Sequence, residues 1–543
     1  MKVPRPVLHA SSLAILCAVF IALADNRLFW SSLFRVIDPL TPSGLVFTLT
    51  AFLTLAGMLI VFFLLFSARY LFRPVLMLSL LLASVIGYFG SAYGVIVEGS
   101  IVRSFFATDV REAGELMTWR FAVEIMVFGV LPALAVGFVR VSSRGPMREL
   151  RQRSIAIGLT ICLMLFASLT VYKDLVLIGR EHKELRMTMN PLYAVYSAVK
   201  YAKNRGLPDA AIATVGGDAR RGAVHPGKKR DVVVLVVGET ARAREFSLNG
   251  YERKTNPLLE YDGVVSFTRA FACGTSTADS LPCMFSFYNR GEYSVSKAAN
   301  HENVLDVLSR AGVRVLWRDN NAGCKGVCLR VEEEDLSHAQ ETGYCNSEEC
   351  FDEVLLDRLE ERIEETDGDI LIVLHQKGSH GPAYYRRHPS RFSVFVPECS
   401  SDSPQNCATN EIVNAYDNTI LYTDYLLHRT IGILRKRFAT ENTMLLYFSD
   451  HGESLGENGL YLHGLPYMVA PDEQTHVPFI AWLSDGYTRE HGVDRKCLDS
   501  HHDRPYSHAN LFHSLLGSFD VQTEVYRPER DILAECRTGP RVL

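Results

Sequence analysis

Two apolar runs in this chain each end on residues that bind metals. Val232 to Val237 leads through Gly238 to Glu239, and Met444 to Phe448 leads through Ser449 to Asp450 and His451. Runs of this length and composition read as strands buried on both faces. In an open α/β sheet the carboxyl ends of such strands face one crevice, so the three side chains are expected to meet there. Two carboxylates and an imidazole are the donors zinc takes, with a fourth position left for a nucleophile or a substrate. A strand-end carboxylate is also a common helix cap, so either motif alone says little.

Between the two runs lies Cys273-Gly274-Thr275-Ser276-Thr277-Ala278-Asp279-Ser280-Leu281-Pro282-Cys283. Two cysteines this close read as a disulfide loop, which would hold a hydroxyl at the start of a helix. There the helix dipole and a neighbouring zinc ion favour loss of its proton near neutral pH. Thr275 and Thr277 both qualify, and a Ser/Thr-rich N-cap without chemistry is the competing reading.

The blocks Val237-Gly238-Glu239-Thr240-Ala241-Arg242, Cys273 to Cys283, Gly378-Ser379-His380-Gly381-Pro382 and Ser449-Asp450-His451-Gly452-Glu453-Ser454-Leu455-Gly456 resemble the phosphoethanolamine transferases that modify lipid A. Those enzymes belong to the alkaline phosphatase/sulfatase superfamily, and the resemblance covers the membrane part as well. It implies that Glu239, Thr277, Asp450 and His451 bind one zinc ion tightly, with a second ion during turnover, and that Thr277 rather than Thr275 is the nucleophile. His380 and His463 match histidines beside the zinc, where they would bind the second metal, position the phosphoryl group or protonate the leaving oxygen. Lys325, inside Cys324-Lys325-Gly326-Val327-Cys328, resembles a phosphate-contacting lysine; a solvated lysine is the alternative. Asn320 and Asn321 are close enough in sequence to join it.

Ser104, Thr108 and Glu112 recur every four residues and so share a helical face. They match positions that contact the ethanolamine headgroup in the family, although the family usually has asparagine where this chain has Ser104. The implied reaction moves phosphoethanolamine from phosphatidylethanolamine to a lipid A phosphate through a phospho-threonine. Fewer negative charges at the surface would then weaken cationic peptides such as polymyxin. The implied enzyme is a monomer.

The membrane half can be read without any family. Uncharged stretches run over 6–24, 39–67, 74–97 and 154–172, and a fifth, 121–139, contains only Glu124. Each is about the ~20 residues that cross a hydrocarbon core. The first is expected to continue past Asp25 through Leu28, Phe29 and Trp30. A cleaved signal peptide is its rival, but Asp25-Asn26-Arg27 is not a small-residue cleavage site. Arg69, Arg73, Arg140, Arg144, Arg148, Arg151 and Arg153 crowd alternate loops. The positive-inside rule therefore puts the N-terminus in the cytoplasm and everything after Tyr172 outside. Glu124, an ionisable group inside a span, is a functional suspect or an interfacial residue beside Arg120.

Cys17 and Cys162 sit in apolar spans, and the other ten of the 12 cysteines fall after residue 270. Neighbours suggest Cys273–Cys283, Cys324–Cys328, Cys345–Cys350 and Cys399–Cys407, with Cys497 and Cys536 left as a long-range pair. Such density belongs to an oxidising space such as the periplasm, so the chain is expected in the bacterial inner membrane with its catalytic domain in the periplasm. A net charge of −5 argues against nucleic acid as a partner.

The expected organisation is a five-helix membrane domain over 1–173, a bridging linker over 174–230 and a zinc-dependent catalytic domain over 231–543. In the linker, Leu192, Val195, Tyr196 and Val199 recur at helical spacing, as in a helix on the membrane surface. The catalytic domain is expected to be an alkaline-phosphatase/sulfatase-like α/β fold with a mixed, mostly parallel sheet. Three other functions compete. The same transfer could go to core sugars or a periplasmic glucan. A sulfatase-like phosphodiesterase usually carries its nucleophile in a C/S-x-P-x-R setting, which Thr277-Ala278-Asp279-Ser280 lacks, and it leaves the five spans unexplained. A non-catalytic membrane sensor would not need the intact ligand set.

Overall fold

The structure is a computed structural model that describes residues 5–68, 70–98, 101–102, 114–142, 145–182, 184–205, 212–222, 229–339, 342–346 and 349–538. Ser104, Thr108 and Glu112 lie outside the described residues. The chain forms two units, 1–102 with 116–202, and 103–115 with 203–543.

In the membrane unit α1 (Ala10–Phe20) continues to Asp25, followed by α2 (Arg27–Val36), α3 (Pro42–Leu65), α4 (Phe72–Tyr93), α5 (Trp119–Glu124, continuing to Phe138) and α6 (Pro146–Thr170). The segments from α3 to α6 are long and apolar enough to cross a membrane singly, and the bent pair α1–α2 makes a fifth candidate when taken together as one span. The outward faces are oily: on α6, Leu159, Phe166 and Leu169 are exposed. Such exposure suits lipid rather than water as the solvent. Glu124 pairs with Arg27 and, at 3.3 Å, with Arg120.

The first span does not run straight through Trp30 as its composition suggests. It bends by 62° between Asp25 and Arg27. Asn26 leaves helical geometry there, and its Nδ2 donates to Ile21 O and to Asn190 O, both at 2.9 Å. Beyond α7 (Tyr172–Glu181), the helical spacing around Leu192 to Val199 becomes α8 (Leu192–Arg205), which groups with the membrane helices as far as Ala202.

The second unit is built on eight strands: β1 (Asp231–Gly238), β2 (Val265–Phe271), β3 (Arg314–Asp319), β4 (Glu332–Asp335), β5 (Ile370–His375), β6 (Asn442–Ser449), β7 (His476–Leu483) and β8 (Tyr506–Ser507). Their order is β8-β2-β7-β6-β1-β5-β3-β4, and only β7 runs against the rest. β1 sits centrally, with every residue from Val232 to Val237 fully buried. Alternate side chains point to opposite faces of a strand. Val233, Leu235 and Val237 therefore join one core with Phe267, Leu281 and Leu515, while Val232, Val234 and Val236 join another with Tyr416, Ile420 and Leu427. Burying each such side chain contributes about 1.5–3 kcal/mol. The long α10 (Thr409–Arg437) covers the second face, and its last turn carries Arg435, Lys436 and Arg437 where the helix dipole favours cations. The parallel strands β1, β3, β5 and β6 deliver their carboxyl ends to one edge of the sheet.

Candidate metal and nucleophile site

Glu239 follows β1, Asp450 and His451 follow β6, and all three are buried with one ligand atom from each within 4.8 Å of the others. His451 Nε2 lies 3.3 Å from Glu239 Oε1 and 3.4 Å from Asp450 Oδ2. The ring is oriented by Nδ1, which donates to Gly452 O at 3.0 Å and so turns Nε2 toward the carboxylates. Metal-binding histidines are commonly fixed in this way. The register of β1 and β6, with Gly238 opposite Ser449, sets the spacing of the carboxylates.

Thr277 is the first residue of α9 (Thr277–Met284), inside the loop closed by the Cys273–Cys283 disulfide. Its Oγ1 lies 3.1 and 3.0 Å from the two oxygens of Glu239 and 3.3 Å from His451 Nε2. Thr275, the other candidate, is buried and donates to Leu465 O at 2.6 Å. Ser276 holds the N-cap position but makes no side-chain capping bond. The loop therefore commits one threonine to the backbone and aims the other at the ligand cluster.

Electrostatics in the cluster follow from burial and mutual charge. Burial alone would raise Glu239, yet its contact with His451 holds it well below the usual carboxylate range. Asp450 is pushed up to about 6 by burial and by the charge of Glu239. Burial would lower His451, but Asp450 and Glu239 raise it to about 10. Two carboxylates thus share one imidazolium, a set that a divalent cation would satisfy better than a proton. Asp450 Oδ2 fits that reading: it is buried and makes no hydrogen bond among the described residues. The donors also match zinc in chemical type.

His463 is tied through Nδ1 to Glu453 Oε2 at 2.7 Å, and its ring centre lies 4.4 Å from that of His451. The His380 ring lies 5.4 Å from that of His463, and burial draws His380 down to about 3, so it is neutral. Lys325 sits in a left-handed conformation (φ 50°) between Cys324 and Cys328, with Nζ donating to Ala322 O at 2.6 Å. Glu239, Thr277, Asp450, His451, His463 and His380 thus form one group, and Lys325 lies on the loop that leaves β3. The structure joins Cys345–Cys350, Cys399–Cys407 and Cys497–Cys536 as well.

Asn320 and Asn321, expected beside Lys325, take other roles, and further supporting residues are given no role by the sequence. Asn321 Nδ2 donates to Glu239 Oε2 at 2.7 Å and to Gln376 O at 2.9 Å, fixing the carboxylate. Asn320 instead turns away to Asp352 at 2.8 Å. His508 accepts from Cys273 N at 3.1 Å and lies 2.9 Å from Ser449 O, joining the threonine loop to β6. Ser280 adds a bond to Asp450 O. Gly378 has φ 54°, and a Cβ there would lie 2.6 Å from Glu239 O, so the glycine permits this close approach. Gly378 lies in a motif already singled out in the sequence; a lone histidine far downstream gives no such signal.

Comparison with known proteins now decides the family. A family profile described as phosphoethanolamine transferase EptA/EptB matches residues 55–205, and a sulfatase profile matches 231–521. The chain is 37% identical to phosphoethanolamine transferase EptA of Escherichia coli K12 over 536 residues, covering 98% of each. It belongs to the phosphoethanolamine transferases. Phosphatidylethanolamine transferase Mcr-1 of Escherichia coli is 37% identical over 519 residues, covering 93% of this chain and 94% of that one. The integral membrane lipooligosaccharide phosphoethanolamine transferase A of Neisseria meningitidis superimposes with a TM-score of 0.95 at 33% identity, over 98% of this chain and 100% of that one. This transferase joins membrane helices to a sulfatase-like domain with a mostly parallel mixed sheet.

Proposed function

We propose that this phosphoethanolamine transferase works from the inner membrane, with its second unit in the periplasm, and moves phosphoethanolamine from phosphatidylethanolamine to a lipid A phosphate by way of Thr277. The observation that carries the reading is the approach of Thr277 Oγ1 to Glu239 at 3.0 Å and to His451 Nε2 at 3.3 Å. Glu239, Asp450 and His451 would hold zinc beside this hydroxyl, and the ion would acidify it and polarise a phosphoryl oxygen.

Thr277 Oγ1 attacks the donor phosphorus, the bond to the diacylglycerol oxygen breaks, and phosphoethanolamine stays on the threonine. The threonine proton ends on the diacylglycerol hydroxyl. His463, steadied by Glu453 at 2.7 Å, is the group placed to pass it. Neutral His380 orients the phosphoryl oxygens, and the Lys325 ammonium draws the anion in as a point charge. A phosphate hydroxyl of lipid A then attacks the same phosphorus from the opposite side, and its proton returns to Thr277 Oγ1. Ser104, Thr108 and Glu112 would receive the ethanolamine headgroup.

Lipid A from a Gram-negative host expressing the chain should carry added phosphoethanolamine by mass spectrometry, with raised polymyxin tolerance; cells expressing Thr277→Ala should show neither. Modification of core sugars or glucan with unmodified lipid A would overturn the acceptor, and activity in Thr277→Ala the nucleophile.

A further inference from the structure

The bend in the first span surrounds a polar site that the transfer reaction does not use. Asp25 and Asn190 are 1% and 5% exposed, and both line a small cavity of about 20 Å³ with Thr188 and Tyr193, room for one ammonium-sized group. Among the described residues, neither carboxylate oxygen of Asp25 nor Asn190 Oδ1 has a hydrogen-bond partner. The Asn190 amide cannot be reversed to supply a donor. Its Nδ2 already donates to Asp25 O at 2.8 Å and Ala83 O at 2.7 Å, while its backbone N–H donates to Asn26 Oδ1 at 2.8 Å. Arg27, the cation nearest in sequence, acts on Asp25 through space but makes no hydrogen bond to it; its terminal nitrogen is engaged by Glu124. Three acceptors are thus left at one cavity, and burying a carboxylate without a partner is costly.

A primary ammonium offers three N–H donors and a positive charge, which answers this inventory. The break also places the C-terminal end of α1, the negative end of its dipole, beside the cavity, as where broken membrane helices bind cations. Gly87 and Gly90 of α4 make room: a Cβ at Gly87 would lie 2.9 Å from Asp25 O, and one at Gly90 3.3 Å from Leu28. Level matters as much as chemistry. Helical residues from Ala10 to Asp25 rise about 24 Å, which takes Asp25 across most of a hydrocarbon core. The end of α4, the segment 95–97 and the segment 187–190 line the same cavity. By the alternation of the spans all of them lie on the outer side, where lipid headgroups are.

We propose that the membrane unit carries its own recognition site, formed by Asp25 and Asn190, for the primary ammonium of an aminophospholipid headgroup. The site rests on the proposed orientation of the spans but not on the chemistry at Thr277. It would retain an amine lipid independently of the headgroup contacts assigned to Ser104, Thr108 and Glu112.

The test uses the full-length chain carrying Thr277→Ala, so that no lipid is consumed. Native mass spectrometry should show phosphatidylethanolamine retained about tenfold over its choline analogue and over phosphatidylglycerol, the worth of one charge-assisted hydrogen bond. Adding Asp25→Asn should remove that preference by a similar factor. Because that variant could fold poorly, a phosphatidylethanolamine bearing a photoreactive group near its head gives an independent readout, with cross-links expected at Met187, Met189 or Tyr193. Equal retention of the three lipids, cross-links confined to other segments, or a site filled by sodium alone without lipid preference would overturn the proposal. None of these readouts involves turnover, so each stands apart from the outcome of the transfer assay.

Discussion

Oγ1 of Thr277 meets a carboxylate and an imidazole rather than the backbone amides that a capping hydroxyl would seek. Replacing it with alanine removes the attacking atom but none of Glu239, Asp450 and His451. Thr277→Ala should therefore lower transfer from a fluorescent lipid donor at least about a thousandfold, with near-stoichiometric zinc by elemental analysis. Asn321 acts one step back, through Glu239 Oε2. Asn321→Ala should weaken zinc binding about 10–100-fold in a competitive chelator titration, and unchanged affinity would remove Asn321 from the support of the site. His508 gives a pH dependence. Its Nδ1 accepts from Cys273 N, so the folded state needs a neutral ring, and burial draws its pKa down to about 4. The unfolded chain takes up that proton near the usual histidine value, so stability is present above it and lost as pH falls toward 4. Protonating His508 removes about 3 kcal/mol. Ring NMR of the histidine should show it neutral at pH 5.5.

At the scale of elements, the Cys273–Cys283 bridge sets where α9 begins. Replacing both cysteines by alanine should cost about 2–3 kcal/mol in urea unfolding and lower transfer more than zinc content, because the loop positions the hydroxyl and not the ligands. β1 and β6 were legible because burial on both faces demands unbroken apolar runs. Their sharing of a crevice was legible because parallel strands end together. The roles of Asn321 at Glu239 and of His508 were not, since they arise only in the fold: β5 brings β3 to β1, and the loop that leaves the edge strand β8 carries His508 to Ser449 O at the end of β6. The bend after Asp25 was hidden for a related reason. Leu28 to Trp30 continue the apolar composition, while Asn190, 164 positions away, stabilises the break at Asn26.

At the scale of the whole molecule, lipid-facing helices, five disulfides and a sulfatase-like sheet coexist in one chain. A soluble sulfatase needs no spans, and a sensor needs no threonine aimed at a ligand cluster. The proposed transfer between two lipids needs both features. All of this turns on a covalent phosphoethanolamine passing through one hydroxyl. The most direct measurement is peptide mass spectrometry of the full chain quenched in acid after incubation with phosphatidylethanolamine and no acceptor. The account predicts phosphoethanolamine on the Cys273–Cys283 peptide, located at Thr277 and absent from Thr277→Ala. An adduct on any other residue, or active enzyme that never carries one, would contradict it.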